Sequence, residues 1–240
     1  TPGIMFEEMG IEYIGPVDGH DIEALVETME VAKKLAKPVI IHAQTTKGKG
    51  YEIAEGTKEH WHGVSAFDLE TGKASKKSSA KSATQIYSET LVEMADEDDK
   101  LVGVTAAMPS GTGLKAAIEK YPDRFWDVAI AEQHAVTSMG PLAKEGFKPF
   151  CTIYSTFLQR GYDQVIHDIC LMDIGVAFAI DRAGIVGEDG ETHQGAFDLS
   201  YLRAIPNMTL LAPYNEHSMK AVMAFAKEYN SPCAFRYPRG

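Results

Sequence analysis

The chain has 240 residues, 45% apolar and 24% charged, with a formal net charge of −11. That length buries a real core in one or two domains, and the acidic excess argues against nucleic-acid binding through a basic surface. No apolar run approaches the roughly 18 residues that span a bilayer, and no basic-then-apolar signal pattern opens the chain. A cytoplasmic protein with no membrane or nucleic-acid partner is therefore expected. The chain starts on Thr1-Pro2-Gly3 and stops directly after a strand-like run, so both ends read as cuts in something longer.

In chain order, Ile11 to Gly15 reads as a strand, and Asp21 caps a helix from Ile22 to about Ala36. Pro38 leads into a second strand, Val39 to Gln44. From Gly56 to Ser82 the pattern dissolves into Gly, Ser, Thr and Lys, which reads as an exposed linker. A strict alternation follows. Helices are expected at Thr84 to Asp96, Leu114 to Lys120, from Glu132, over Phe157 to Met172, and at Glu216 to Tyr229. Strands are expected at Leu101 to Thr105, Trp126 to Ile130, Phe150 to Tyr154, Ile174 to Ile180, Met208 to Leu211 and Cys233 to Tyr237. Such alternation means βαβ units, hence an α/β fold with a mostly parallel sheet covered on both faces.

The stretch from Asp181 to Asp198 is long, glycine-rich and without periodicity, and it carries Arg182, Glu188, Asp189 and His193. Loops of that length in compact domains are functional or disordered. This one starts at a strand's carboxyl end, where open α/β sheets bind ligands. It reads as an active-site loop, with a solvated excursion as the bland alternative. At the next strand ends stand Glu132-Gln-His134, Tyr154 with Phe157 and Arg160, and Arg236 with Arg239. Each has a plain reading too: a carboxylate favouring a helix N-terminus, core aromatics, solvated arginines. Arg236 and Arg239 offer two guanidiniums for phosphate, joining Arg182 only if the topology puts them on one edge.

The three cysteines, Cys151, Cys170 and Cys233, have no zinc-like spacing and read as buried reduced thiols. His60 and His62 resemble a fragment of a metal site, but no third ligand follows at usable spacing. His42 and His167 read as structural. Lys47-Gly-Lys-Gly-Tyr51 lacks the spacing of a P-loop. The residues alone thus reach an α/β enzyme with its site on the strand ends.

The strings VDGHD at 17–21, KGKGYE at 47–52, AEQHAV at 131–136, YSTFLQR at 154–160, DRAGIVGEDGETHQGAFDLSYLR at 181–203 and RYPRG at 236–240 resemble the 1-deoxy-D-xylulose-5-phosphate synthase family, a branch of the transketolase-like thiamine diphosphate enzymes. The resemblance runs essentially end to end and is weakest over the linker. It implies a three-layer αβα domain of the thiamine diphosphate-binding fold at 83–240, a linker at 56–82, and at 1–55 the tail of a second similar domain that binds the diphosphate. It also implies the condensation of pyruvate with D-glyceraldehyde 3-phosphate, with loss of carbon dioxide, in a homodimer. Thiamine diphosphate is the implied cofactor. Its magnesium would be held by residues outside this chain, because the family's metal motif is missing and neither Val17-Asp-Gly19 nor Glu188-Asp-Gly190 replaces it.

By the same resemblance Glu132 matches the acid on the cofactor's pyrimidine nitrogen, and Tyr154 and Phe157 match residues packed around that ring. Tyr51 and Arg160 match further cofactor contacts, and His62 and His193 match histidines serving proton transfer and substrate hydroxyls. Arg182 and Arg239 match a phosphate-binding pair, with Asp189 in the same pocket. One departure is Pro141, inside the helix expected after Glu132. An interior proline costs roughly 3 kcal/mol, so a break in that helix's second half is expected. This chain alone is expected to be inactive. The alternatives are another transketolase-family enzyme, such as a transketolase or the β component of a 2-oxo acid dehydrogenase, and a non-catalytic thiamine- or phosphate-binding module.

Overall fold

The computed structural model describes residues 3–56, 61–64, 66–74 and 80–239. The chain divides into two compact units, Thr1–Lys77 and Ser78–Gly240.

The first unit is a single β-α-β turn of chain. A short helix α1 (Ile4–Glu8) precedes strand β1 (Glu12–Asp18), helix α2 (Ile22–Lys34) and strand β2 (Val39–Gln44). The two strands pair in parallel. Helix α2 starts where the sequence places it, because the Asp21 carboxylate accepts the Ala24 amide at 3.0 Å. Beyond β2, Tyr51, Trp61 and Phe67 form a ring cluster with centroids 4.9 to 6.1 Å apart, Trp61 meeting both other rings edge to face. Tyr51 Oη donates to the Leu69 carbonyl at 2.8 Å, so the described part of the stretch read as a linker folds back on Tyr51. His60 lies outside the described residues.

In the second unit, helix α3 (Ala83–Glu97), strand β3 (Leu101–Thr105), helix α4 (Lys115–Lys120), strand β4 (Phe125–Asp127), helix α5 (Glu132–Lys144) and strand β5 (Lys148–Tyr154) follow in order. Helices α6 (Ser155–Leu158) and α7 (Tyr162–Gln164), strand β6 (Ala177–Asp181), helix α8 (Asp198–Leu202), strand β7 (Thr209–Leu211), helix α9 (Glu216–Glu228) and strand β8 (Cys233–Arg236) complete it. The sheet order is β4-β3-β5-β6-β8-β7, and every pairing is parallel.

Period-two alternation splits the core into two layers. Ala177, Ala179, Phe150 and Phe235 face α3, α4 and α9 through Tyr87, Leu91, Leu114, Met219 and Met223. Val104, Cys151, Ile153, Phe178 and Ile180 face the opposite layer, with Val136, Met139, Val165, Ile169 and Leu202. Each large side chain fully buried in this way contributes about 1.5–3 kcal/mol. The helix ends are capped from the sequence: the Ser82 side chain accepts the Gln85 amide, and Asn215 and Ser218 form a reciprocal box.

Four expectations need correction. The strand read at Trp126 to Ile130 is only three residues long, because Asp127 Oδ1 accepts the amides of Ala107 and Ala129 at 2.6 and 2.9 Å and turns the chain out of the sheet. The helix read over Phe157 to Met172 is broken into α6, a 3₁₀ turn at Gln159–Gly161, α7 and a π turn at Val165–Cys170. Gly161 is the close-approach point: a Cβ there would meet Val136 Cγ2 at 3.1 Å and the Glu132 carbonyl at 3.4 Å. Helix α5, by contrast, runs unbroken through Pro141 to Lys144. Pro141 lies on its exposed side in the last turn, and the carbonyl to which it cannot donate an N–H belongs to Thr137, an exposed residue. Finally, α8 starts on the last residue of the Asp181–Asp198 loop and fills a stretch for which no element was expected.

Candidate active site

Because the strands are parallel, β3 to β8 all end on one edge, where open α/β sheets form their ligand crevice. Three non-glycine residues within two positions of those ends, Ala107, Ala129 and Arg182, hold left-handed φ of 61°, 59° and 56°. Such conformations cost of order 1–3 kcal/mol each and cluster at functional sites.

Glu132 opens α5 and is 3% exposed. Its Oε2 is buried and has no hydrogen-bond partner among the described residues. A buried carboxylate oxygen left unpaired is expensive, and its place at a helix start and strand end points to a ligand that completes it. Gln133 and His134 beside it are exposed.

One strand over, Tyr154 ends β5 and Phe157 follows in α6, their rings stacked at 5.6 Å with 9° between planes. Burial pushes the Tyr154 phenol well above its ordinary value, only partly opposed by Arg182. The Arg182 guanidinium lies over the Tyr154 ring at 4.4 Å. His193 meets the edges of Tyr154 and Phe157 at 6.3 and 5.2 Å, and its Nδ1 pairs with Thr192 Oγ1 at 2.9 Å.

Arg182 and Arg239 come together as the sequence allowed, since β6 and β8 are neighbours. Asp189 sits between them, 3.4 Å from Arg182 Nε and 2.8 Å from Arg239 Nη1. The loop holding Asp189 and His193 is pinned at its base by a Gly184–Gly195 bridge, both amide bonds at 2.8 Å. Gly195 admits no side chain: a Cβ would lie 2.0 Å from the Arg182 carbonyl.

Arg236 turns inward to the fully buried Asp198 at 2.6 Å and is part of the core, not of the phosphate pair. Arg160 is exposed, without an ion pair or hydrogen bond among the described residues. Tyr51 and His62 belong to the first unit, where His62 Nδ1 lies 3.2 Å from Lys47 Nζ. Sequence reasoning missed Thr84, Gly111 and Asp181, all of which touch Arg182. Asp181 was legible in principle as a carboxylate ending an apolar strand. A hollow of about 270 Å³ at the amino ends of the strands gathers Lys144, Lys148, Lys227 and Asn230. Two of its three cations, Lys148 and Lys227, are neutralised by Asp98 and Glu228.

A three-layer parallel fold with an orphaned acid and an aromatic pair on its strand ends is the architecture of a cofactor-binding α/β domain. Residues 79–240 match the family model described as transketolase, pyrimidine binding domain, and the chain belongs to that family. Residues 1–45 match the model described as 1-deoxy-D-xylulose-5-phosphate synthase. Over its full length the chain is similar to proteins of that name: 75% identical in Sulfurimonas denitrificans, 71% in Nitratiruptor sp. and 65% in Wolinella succinogenes. It spans 40%, 40% and 39% of their lengths. Among solved structures, an inactive β4 tetramer of a split-gene transketolase matches 66% of the chain and 52% of its own, with TM-score 0.59 and 28% identity. Transketolase from Campylobacter jejuni matches all of the chain and 48% of its own, at TM-score 0.57 and 21% identity, a likeness of fold alone.

Proposed function

We propose that this chain supplies the pyrimidine-binding side of an active site that condenses pyruvate with D-glyceraldehyde 3-phosphate, releasing carbon dioxide and giving 1-deoxy-D-xylulose 5-phosphate. The observation that carries the reading is Glu132, whose buried Oε2 has no partner among the described residues. The aminopyrimidine of thiamine diphosphate fits that position: its ring nitrogen would complete the carboxyl group's hydrogen bonding, and its flat face suits the stacked Tyr154 and Phe157. When bound, the cofactor supplies the nucleophilic carbon and the electron sink for decarboxylation.

The chain's own residues position, polarise and exclude. Glu132 holds a proton at the ring nitrogen. Tyr154 and Phe157 keep water from the ring's surroundings. Arg182 and Arg239 bind the acceptor's phosphate bidentately, and Asp189 holds the two guanidiniums at a fixed separation. His193, oriented by Thr192, exchanges protons with substrate hydroxyls. Arg160, Tyr51 and His62 complete the reading as contacts to cofactor and substrate. Magnesium on the diphosphate, pairing of two copies and a cytoplasmic location belong to the same proposal. Among the described residues no helix is long and apolar enough to cross a membrane.

The test is carbon dioxide release from labelled pyruvate by the full-length protein with thiamine diphosphate and magnesium, with and without the aldehyde phosphate. Release is expected to need the aldehyde and to fall about 100-fold or more in Glu132→Ala. Release indifferent to the aldehyde would point to another enzyme of the family, and none at all to a non-catalytic binding module.

A further inference from the structure

Arg182 is held more tightly than an anion-binding arginine needs to be. Its side chain is 12% exposed, and its backbone is in the left-handed region. Asp181, just before it, is 0% exposed and is a carboxylate the reaction proposed above does not use. Asp181 Oδ1 accepts the Arg182 backbone amide at 2.6 Å and faces Arg182 Nη1 at 3.2 Å. Its Oδ2 accepts Thr84 Oγ1 at 2.7 Å, and Nη1 donates in turn to Thr84 Oγ1 at 3.3 Å and to the Gly111 carbonyl. Gly111 closes in because it has no side chain: a Cβ there would lie 2.0 Å from Tyr154 Oη.

All these contacts fall on one corner of the guanidinium. Nη1 is saturated, the Tyr154 ring covers one face, and Nη2 has no partner among the described residues. Nε meets only Asp189, at 3.4 Å. Apart from that long contact the Nε–Nη2 edge remains, two parallel donors that match two oxygens of a phosphoryl group.

We infer that Asp181, with Thr84 and the Gly111 carbonyl, is a positioning group that orients Arg182 so that only its Nε–Nη2 edge is offered to the acceptor's phosphate. This rests on the phosphate reading of Arg182 above. Asp181 also fixes the left-handed backbone of Arg182, because the amide it accepts is that of the strained residue itself. A flexible arginine at this strand end would present any of its five donors.

The experiment uses the full-length protein and compares kcat/KM for glyceraldehyde 3-phosphate with that for unphosphorylated glyceraldehyde. For Asp181→Asn and Thr84→Val the ratio is expected to fall about tenfold, the worth of one hydrogen bond to a charged group, chiefly through KM for the phosphorylated aldehyde. Arg182→Met is expected to lower the ratio at least as far, and Asp181→Asn/Arg182→Met no further than Arg182→Met alone. A merely structural role for Asp181 would depress both aldehydes together and leave the ratio where it was, which would overturn the inference. So would a lowered ratio in Arg182→Met with none in Asp181→Asn or Thr84→Val. A ratio untouched in Arg182→Met would overturn the phosphate reading of Arg182 and this inference with it.

Discussion

Two carboxylates show how burial alone does not define a role. Glu132 is buried with an oxygen unpaired among the described residues, whereas Asp198 is buried with both oxygens used: Ser155 Oγ donates at 2.9 Å, and Arg236 donates at 2.6 and 3.3 Å. The first keeps an oxygen without a protein partner, and the second ties α6, α8 and β8 together. Removing one member of a buried pair leaves the other uncompensated, so Asp198→Ala is expected to destabilise the protein by about 3–5 kcal/mol. Urea unfolding of the variant checks it, with Asp198→Ala/Arg236→Met recovering part of the loss. A change under about 1 kcal/mol would mean that the pair is solvated like a surface bridge.

At the scale of elements, the end of α3, the start of β5 and the end of α9 are joined by charge. Lys148 Nζ reaches Asp98 and Glu228, each at 2.9 Å, and Lys227 reaches Asp98 at 3.6 Å. The hydrogen bond from Lys148 holds the Asp98 carboxyl below its ordinary value of 3.8, against a smaller opposing effect of burial. The folded state therefore binds the Asp98 proton more weakly than the unfolded chain does. The resulting stability is present above the unfolded value and lost as pH falls through the lower folded one. Lys148→Met is expected to cost about 1 kcal/mol near pH 7, the difference from the natural sequence fading below about pH 4. A pH-independent difference would assign the loss to the packing of the Lys148 stem instead.

Across the second unit as a whole, the three thiols report on its cohesion. Cys151, Cys170 and Cys233 are each 1% exposed or less, distributed over both core layers. Burial pushes all three up, Cys170 and Cys233 to about 12. Thiolate is the reactive form, so a thiol reagent near pH 8 is expected to modify none of them until the unit opens. Labelling should then track global unfolding. Fast modification of Cys170 alone would reveal local opening of the π turn that carries it. The net charge of −11 is no obstacle to a phosphate site, because Arg182 and Arg239 converge locally on one strand-end edge.

Much of this was legible in residue order because the signals are local. Asp21 caps its helix where the sequence puts it, and apolar runs separated by amphipathic stretches determine a parallel sheet wrapped by helices. Glu132, Tyr154, Arg182 and Arg239 were legible as strand-end residues, since a parallel sheet gathers all such ends on one side. Which arginine joins which carboxylate was not. Arg236 and Arg239 are three residues apart, yet one faces Asp198 in the core and the other Asp189 in the loop. Nor could residue order show that Thr84, 98 residues from Arg182, touches it, or that Gly161 breaks a helix to lie against α5. Caps and periodicity act over a few residues, whereas strand order and the direction of a side chain depend on atoms far apart in the chain. Only the tertiary structure brings those together.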